Sequence, residues 1–310
     1  MTSLKRIATA LGLALAVLGC TSAPTTTGPG PSSQPGAPAV VGTFTTTVPA
    51  LQYPVRLAAA GKWVFVSDAR ANAVIGYQDG APALALTGLD TPLGVAVAGD
   101  NLYVGNAGRK DVEVYSLAQQ KYLRTLGGVG AFDKPNGIAV APDGVVYVVD
   151  SLQNVVKLFA ADGTARGQLG ALGTGDGQLR FPVAVAVDAD RVVVADQGNK
   201  RVQIFDRAGA FVRSFGGEIK GGFNRADFQG KFTSIGSVAL NGSDIYVLES
   251  LHAAVQVFDG NGAYKGTFGA AGACPTCTKM PLDITVDGQG RVLATDPEQR
   301  RFVALSTEMR

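Results

Sequence analysis

Residues 169–216 read LGALGTGDGQLRFPVAVAVDADRVVVADQGNKRVQIFDRAGAFVRSFG. Short segments rich in Val, Phe and Ile alternate here with turns that contain Asp, Gly and Asn. Both features are typical of β-strands joined by tight turns. The predicted strands are Val183–Val187, Arg191–Ala195, Arg201–Phe205 and Ala210–Phe215. The stretch therefore predicts one small four-stranded antiparallel sheet.

The same pattern occurs six times along the chain. Each copy starts at a proline or its equivalent, namely Pro54, Pro92, Pro135, Pro182, Ile235 and Pro281. An acidic or amide residue follows in each copy, at Asp68, Asn106, Asp150, Asp196, Glu249 and Asp296. A large apolar residue stands nine positions later, at Tyr77, Tyr115, Phe159, Phe205, Phe258 and Leu305. An interval that is constant in six copies indicates an internal repeat.

Four-stranded units that recur every 38–53 residues are typical of the blades of a β-propeller. We therefore expect an all-β, six-bladed propeller of four-stranded antiparallel blades over residues 40–310. The sixth copy has five residues after Leu305 and lacks a fourth strand. Gly42–Val48 repeats the spacing of Gly209, Phe211 and Phe215, so we predict that this N-terminal strand completes the last blade and closes the ring.

The segment 169–216 resembles a whole repeat of the NHL family, and the other copies show the same pattern in weaker form over residues 42–306. The resemblance implies a six-bladed propeller. NHL propellers serve as extracytoplasmic sensor domains, protein-binding scaffolds and RNA readers, and related propellers are lyases or lactonases. Because one fold supports all of these, the resemblance does not decide the function.

The N-terminus has the features of an export signal. Lys5 and Arg6 precede an apolar run, Ile7–Gly19, that is too short to span a bilayer but suits a signal peptide. The run ends in Val17-Leu18-Gly19-Cys20, which resembles a bacterial lipobox. We expect residues 1–19 to be a lipoprotein signal peptide and Cys20 to carry the lipid. Cleavage of an ordinary secretory signal a few residues later is the alternative.

Residues 20–39 are rich in Thr, Pro, Gly and Ser and predict a disordered tether between the lipid anchor and the propeller. Removal of residues 1–19 takes away two basic residues and no acidic ones, which leaves 25 of each sign. A neutral exported chain lacks the basic excess that nucleic-acid binding needs. The expected location is the periplasmic or cell-surface side of a membrane.

By resemblance to other propellers, ligands bind the face that carries the second-to-third-strand loops and the loops between blades. The acidic or amide residue of each repeat stands in these loops. We interpret it as structural, since carboxylates often accept hydrogen bonds from turn N–H groups, although a metal or acid–base cluster is the alternative. The same loops carry six cationic side chains, Arg70, Arg109, Lys110, Lys200, Arg201 and Arg300. These side chains are candidates for binding an anionic ligand. The alternative is that they pair with nearby Asp residues on the surface.

Two charged residues interrupt the apolar first strands that line the central channel. Arg56 and Asp283 occupy equivalent positions in the first and sixth copies. Since ring closure makes these blades neighbours, we predict an ion pair at the channel mouth, acting as a structural latch rather than a catalytic dyad.

The chain contains one histidine, His252, in a loop of the ligand face, and three cysteines. A multi-histidine metal centre is therefore excluded, and we expect His252 to be an exposed loop residue. Cys274 and Cys277 form a CxxC pair in the loop between the fifth and sixth copies. In an oxidising compartment we expect a loop disulfide, with a redox role as the alternative.

These observations favour a lipid-anchored, extracytoplasmic propeller that binds a protein, peptide or glycan of the cell envelope through one loop-rich face. We expect a monomer with no cofactor, no metal, no catalytic residue and no nucleic-acid partner. The alternative is a metal-dependent propeller hydrolase or lyase of the lactonase type, using the same face.

Overall fold

The computed structural model describes residues 41–128, 130–219, 228–269, 272 and 274–309. The predicted signal peptide, Cys20 and the predicted tether lie outside these residues. The described residues form 24 β-strands and two short 3₁₀ turns, Gln197–Asn199 and Ser250–His252. The expected all-β, six-bladed propeller is confirmed.

Each blade is an antiparallel sheet of strands that follow one another in sequence. Blade 1 contains β2 (Pro54–Ala60), β3 (Trp63–Asp68), β4 (Ala73–Gln78) and β5 (Ala81–Thr87). Blade 2 contains β6 (Pro92–Ala98), β7 (Asn101–Asn106), β8 (Asp111–Ser116) and β9 (Lys121–Leu126). Blade 3 contains β10 (Pro135–Val140), β11 (Val146–Asp150), β12 (Val155–Phe159) and β13 (Ala165–Leu169).

The second half of the ring repeats this arrangement. Blade 4 contains β14 (Ala184–Val187), β15 (Arg191–Asp196), β16 (Arg201–Asp206) and β17 (Phe211–Gly216). Blade 5 contains β18 (Ile235–Asn241), β19 (Asp244–Glu249), β20 (Ala254–Phe258) and β21 (Tyr264–Phe268). Blade 6 contains β22 (Ile284–Val286), β23 (Val292–Asp296) and β24 (Arg301–Ala304). In blade 4 the strand boundaries lie within one residue of those predicted.

The hydrophobic core lies between neighbouring blades. Between blades 4 and 5, for example, Val193 and Val202 pack with Val247 and Phe258 in one buried cluster. Alternating side chains of a strand point to opposite faces of its sheet, so each blade contributes to two such cores. The apolar residue that closes the third strand in every repeat is part of this packing.

The predicted role of the N-terminal strand is wrong. β1 (Thr43–Thr45) does not complete blade 6 but pairs antiparallel with β5, which makes blade 1 five-stranded. Phe44 packs edge-to-face on Tyr115, with ring centroids 5.9 Å apart, and Gly42 N donates to Tyr115 Oη at 2.7 Å. Contacts with blade 2 therefore hold the strand on the opposite side of blade 1 from blade 6.

The ring closes between blades 1 and 6 through side chains instead. Thr295 Oγ1 donates to Val55 O at 3.0 Å, and Leu57 N donates to Asp283 Oδ2 at 2.9 Å. Further out, the rings of Tyr77 and Phe302 meet edge-to-face with centroids 4.9 Å apart. Closure thus relies on hydrogen bonds and packing between the two blades, and within the described residues no strand is shared between them.

Candidate functional site

One face of the ring carries the loops between second and third strands and the loops that lead into each first strand. We call it the loop face. A cavity of about 370 Å³ opens there, around the start of the first strands. Its wall includes the residue directly before the first position of five repeats: Tyr53, Lys134, Phe181, Ser234 and Met280. The repeat thus brings five different side chains to equivalent places around one cavity.

Large apolar side chains are exposed around this cavity. Leu251 is 58% exposed and Met280 42%, while Tyr53 and Phe181 are each 38% exposed. Water contact with such side chains is unfavourable, so a cluster of them around a concavity is typical of a binding surface. We call these four residues and the cavity that they surround the rim site.

Two cationic side chains lie over the aromatic rings of the rim site. The Arg70 guanidinium lies 5.6 Å from the centre of the Tyr53 ring, and the Lys134 ammonium lies 5.4 Å from that of Phe181. Cation–π contacts of this kind hold a charge beside an apolar surface. The rim site therefore offers apolar contacts with positive charge next to them.

Arg56 forms the floor of the rim site. Its Nη1 donates to Asp283 Oδ1 at 2.8 Å and to Gly236 O at 3.0 Å. Its Nη2 donates to Val183 O at 2.6 Å and to Asn136 Oδ1 at 3.0 Å. One side chain of blade 1 therefore bonds to residues of blades 3, 4, 5 and 6.

The structure brings Arg56 and Asp283 together but does not place them at the channel mouth. Both residues are buried, and Arg56 is shared by the rim site and a second cavity of about 250 Å³ further along the channel. Gly94 and Gly137 occupy the position of Arg56 in blades 2 and 3, so small residues there leave the centre of the ring to the Arg56 side chain. Larger residues would not fit at these two positions, because a Cβ added to Gly94 would lie 2.3 Å from Asn136 O and one added to Gly137 would lie 2.7 Å from Ala184 Cα.

The repeated acidic residues are buried parts of the blades. Asp68 accepts hydrogen bonds from the N–H groups of Tyr53 and Ala71 at 2.9 and 2.8 Å. Asp150 accepts from the N–H groups of Asp133 and Lys134 at 2.9 and 3.0 Å. Each carboxylate thus ties the loop before its blade to the blade itself, which matches the structural interpretation of the sequence.

Two of the candidate cations serve as internal ties. Arg109 Nη1 bonds to the buried Glu113 at 2.9 Å. Arg201 Nε bonds to the buried Asp196 at 2.8 Å, and its Nη2 donates to Gly175 O and Gln178 O. Each guanidinium is thus paired with a buried carboxylate of its own blade.

The other candidate cations remain nearer the surface. Arg70 and Arg300 are exposed, Lys110 is exposed and lies 3.4 Å from Asp133, and Lys200 is half-buried with Nζ 3.4 Å from Gln197 Oε1. Arg300, Lys110 and Lys200 occupy the last position of the loop in their repeats, with φ of 52°, 59° and 55°. Asn72, Asn154 and Ala253 have the same left-handed conformation at the equivalent position, so it is shared by all six blades.

His252 is half-buried rather than exposed. Its Nδ1 lies 3.4 Å from both Glu249 Oε1 and Thr233 Oγ1, and its ring meets Phe228 edge-to-face at 4.1 Å. Phe232, in the same 216–234 loop, is fully buried. The described end of this loop therefore packs onto blade 5, and His252 takes part in that packing.

Cys274 and Cys277 are joined as a disulfide. Arg301 anchors their loop, because its Nη2 donates to Cys274 O at 3.0 Å and to Cys277 O at 2.9 Å. The two sulfurs lie in the loop that leads to Met280 of the rim site. The disulfide thus constrains the conformation of one loop on the loop face.

Blade 2 contains a buried acidic pair that the sequence did not reveal. Asp111 and Glu113 are both fully buried, and burial together with the Glu113 charge raises the pKa of Asp111 to about 6. Tyr115 Oη donates to Glu113 while accepting the N–H of Gly42, and burial raises the pKa of this phenol. Through Tyr115, Glu113 of this pair is thus connected to Gly42 at the start of β1.

Two further properties of the described residues bear on function. Within the described ranges, no group of three or more His, Cys, Asp or Glu residues is placed to hold a metal ion. In the same part of the chain, no helix is long and apolar enough to cross a bilayer.

The sequence missed the apolar members of the rim site. Tyr53, Phe181 and Met280 share one signal, since each directly precedes the proline that starts a repeat. That position differs from copy to copy, and in a repeat protein the variable positions of an exposed loop are where binding residues are found.

Six consecutive blades and a cavity on the loop face define a closed β-propeller with a candidate binding site at one end of its channel. The NHL repeat family matches residues 179–205. The chain is a six-bladed β-propeller that contains a match to the NHL repeat in its fourth blade.

Parts of this chain are similar in sequence to known proteins. Protein brain tumor of Drosophila melanogaster is 32% identical over 138 residues, which cover 44% of this chain and 12% of that protein. E3 ubiquitin-protein ligase NHLRC1 of Homo sapiens is 35% identical over 97 residues, 31% of this chain and 25% of that protein. The matched regions thus span a quarter or less of these relatives.

A solved structure of virginiamycin B lyase from Staphylococcus aureus superposes with a TM-score of 0.59 at 12% identity. The match covers 86% of this chain and 90% of that one. At this level of identity the likeness shows the shared fold alone.

Proposed function

We propose that this protein is an extracytoplasmic, lipid-anchored binding propeller that presents its loop face to a protein or peptide of the cell envelope. The observation that carries the proposal is the rim site, in which Tyr53, Phe181, Leu251 and Met280 surround a cavity of about 370 Å³. This volume lies within the range of about 300–1,000 Å³ that is typical of ligand sites.

The chemistry of the rim site suits a polypeptide. An apolar side chain that enters the cavity would leave water and contact Tyr53 and Phe181, while Arg70 and Lys134 face polar or acidic groups beside it. Aromatic residues and Arg dominate the binding energy of protein interfaces. At the base of the cavity, Arg56 is already engaged in hydrogen bonds, so the ligand meets a rigid floor.

The rim site is tested by affinity capture from envelope extract with residues 40–310. Leu251→Asp places a charge in the apolar rim and is expected to reduce capture of a bound protein at least tenfold. Val212→Asp is the matched control, because Val212 is also an exposed apolar residue, 48% exposed, but lies on the outer strand β17. Equal capture by both variants would argue against the rim site.

The proposed anchor rests on the sequence around Cys20. Cys20→Ser removes the sulfur that would carry the lipid, so the variant is expected to shift from the membrane fraction to the soluble envelope fraction. Incorporation of a labelled fatty acid should be lost in parallel. If the variant and the parent chain fractionate alike, the lipid anchor is wrong, whatever the result for the rim site.

A further inference from the structure

Every N–H group of the Arg56 guanidinium is engaged in a hydrogen bond. A guanidinium carries five N–H donors, which lie in one plane. In Arg56, the two on Nη1 bond to Asp283 Oδ1 and Gly236 O. The two on Nη2 bond to Asn136 Oδ1 and Val183 O, and the one on Nε bonds to Asn136 Oδ1 at 3.3 Å. A ligand of the rim site therefore finds no free donor on this side chain.

The same hydrogen bonds fix the orientation of the guanidinium. N–H groups prefer acceptors that are nearly in line with the N–H bond, so these acceptors lie near the guanidinium plane. They belong to residues at the start of the first strands of blades 3, 4, 5 and 6, which surround the channel. The guanidinium thus lies across the channel, and its two flat faces point along it.

Both flat faces border a cavity. Arg56 lines the rim site on one side and the second cavity, of about 250 Å³, on the other. Since its edge is occupied by hydrogen bonds, Arg56 offers the rim site the flat face of a delocalised cation.

The walls around this face are apolar. The repeat position that directly precedes Arg56 and its equivalents contributes four apolar side chains to the rim site: Val55, Leu93, Val183 and Leu282. The cavity of about 370 Å³ is wide enough for a ring, because an apolar cavity of about 150 Å³ already holds benzene.

These features favour an aromatic group over an anionic one at the floor of the rim site. An anion would meet no free N–H group, and Asp283 already supplies the negative charge that balances Arg56. The face of an aromatic ring is electron-rich and is attracted to the face of a guanidinium, more strongly where water is excluded.

We propose that the rim site takes an aromatic side chain of the partner, from Trp, Tyr or Phe, and stacks its ring on the flat face of Arg56. This inference rests on the proposed function, because it names the group that enters the rim site. Besides its bonds across the ring, Arg56 then acts in specificity. An aliphatic side chain of the same size fills the cavity but gains no stacking energy.

The test is an NMR titration of the purified full chain with two probes, N-acetyl-phenylalaninamide and N-acetyl-cyclohexylalaninamide. The cyclohexyl probe is similar in shape and at least as apolar, but it has no π face. We expect the phenyl probe to bind about fivefold more tightly, and its ring current to shift the Nε–H resonance of Arg56.

Two variants complete the experiment. Arg56→Met with Asp283→Leu leaves no unpaired charge, identifies the Arg56 resonance by its loss, and should bind the two probes equally. Val212→Asp, on the outer strand β17, is the control and should titrate like the parent chain. Thermal unfolding shows whether each variant is folded, and the two probes on the parent chain decide the matter even where the double variant is not.

The stacking is wrong if the parent chain binds the two probes equally, binds neither, or shows no shift of the Arg56 resonance. A folded double variant that keeps the preference for the phenyl probe would also overturn it. The proposed function has its own readout, the capture of a protein from envelope extract. If Leu251→Asp still reduces that capture, the rim site stands and only the aromatic preference fails.

Discussion

Replacing Arg56 by alanine is expected to lower the free energy of unfolding by about 3–5 kcal/mol, the usual cost of removing one partner of a buried ion pair. The variant leaves Asp283 buried without its charge partner and removes the donors to Val183 O and Gly236 O. For a domain of this size, each kcal/mol shifts the melting temperature by about 2–4 °C. Thermal unfolding should therefore begin about 10 °C lower.

A double variant separates charge from packing. Arg56→Met with Asp283→Leu leaves no unpaired charge, so it should recover part of the lost stability, since apolar residues often replace a buried ion pair without loss. Arg70→Ala is the control, because Arg70 is exposed and surface substitutions usually change stability by less than about 0.5 kcal/mol. If the Arg56 and Arg70 variants melt alike, Arg56 does not hold the ring together.

Asp196→Ala is expected to cost about 3–5 kcal/mol as well, because it breaks a buried ion pair and several hydrogen bonds at once. The carboxylate accepts from Arg180 N at 2.7 Å, from Arg201 Nε at 2.8 Å and from Gln203 Nε2 at 3.1 Å. The loop before blade 4 would lose its attachment. Denaturant-induced unfolding measures the change.

Two further substitutions show whether the effect belongs to the buried carboxylate. Asp196→Asn should cost less, since it keeps an acceptor oxygen and blade 2 has Asn106 at the equivalent position. Asp190→Ala, in an exposed turn of the same blade, should be nearly neutral. Equal losses for the Ala and Asn variants of Asp196 would contradict the assigned role.

Local sequence patterns determine the strands of this protein but not every pairing between them. The interval of nine residues between Asp196 and Phe205 reflects a loop followed by a strand, both of which are local. Gly42–Val48 has the pattern of a fourth strand, and that pattern does not specify which sheet edge receives it. Contacts distant in sequence decide this, namely those of Gly42 and Phe44 with Tyr115.

For the candidate site, too, the sequence predicted one pair of residues correctly but not the contacts that span the ring. Equivalent positions in neighbouring blades were enough to bring Arg56 and Asp283 together. The reach of Arg56 to Val183 and Gly236 depends on the width of the ring, which no single repeat encodes. The apolar rim was missed because its members share a position in the repeat rather than a residue type.

The position of Arg56 affects how far a solute can move along the central channel. The two cavities along the axis have this one side chain in common, and its guanidinium is bonded on several sides. Arg56 therefore stands between the two openings, and a solute that enters at the loop face meets this side chain before it reaches the second cavity.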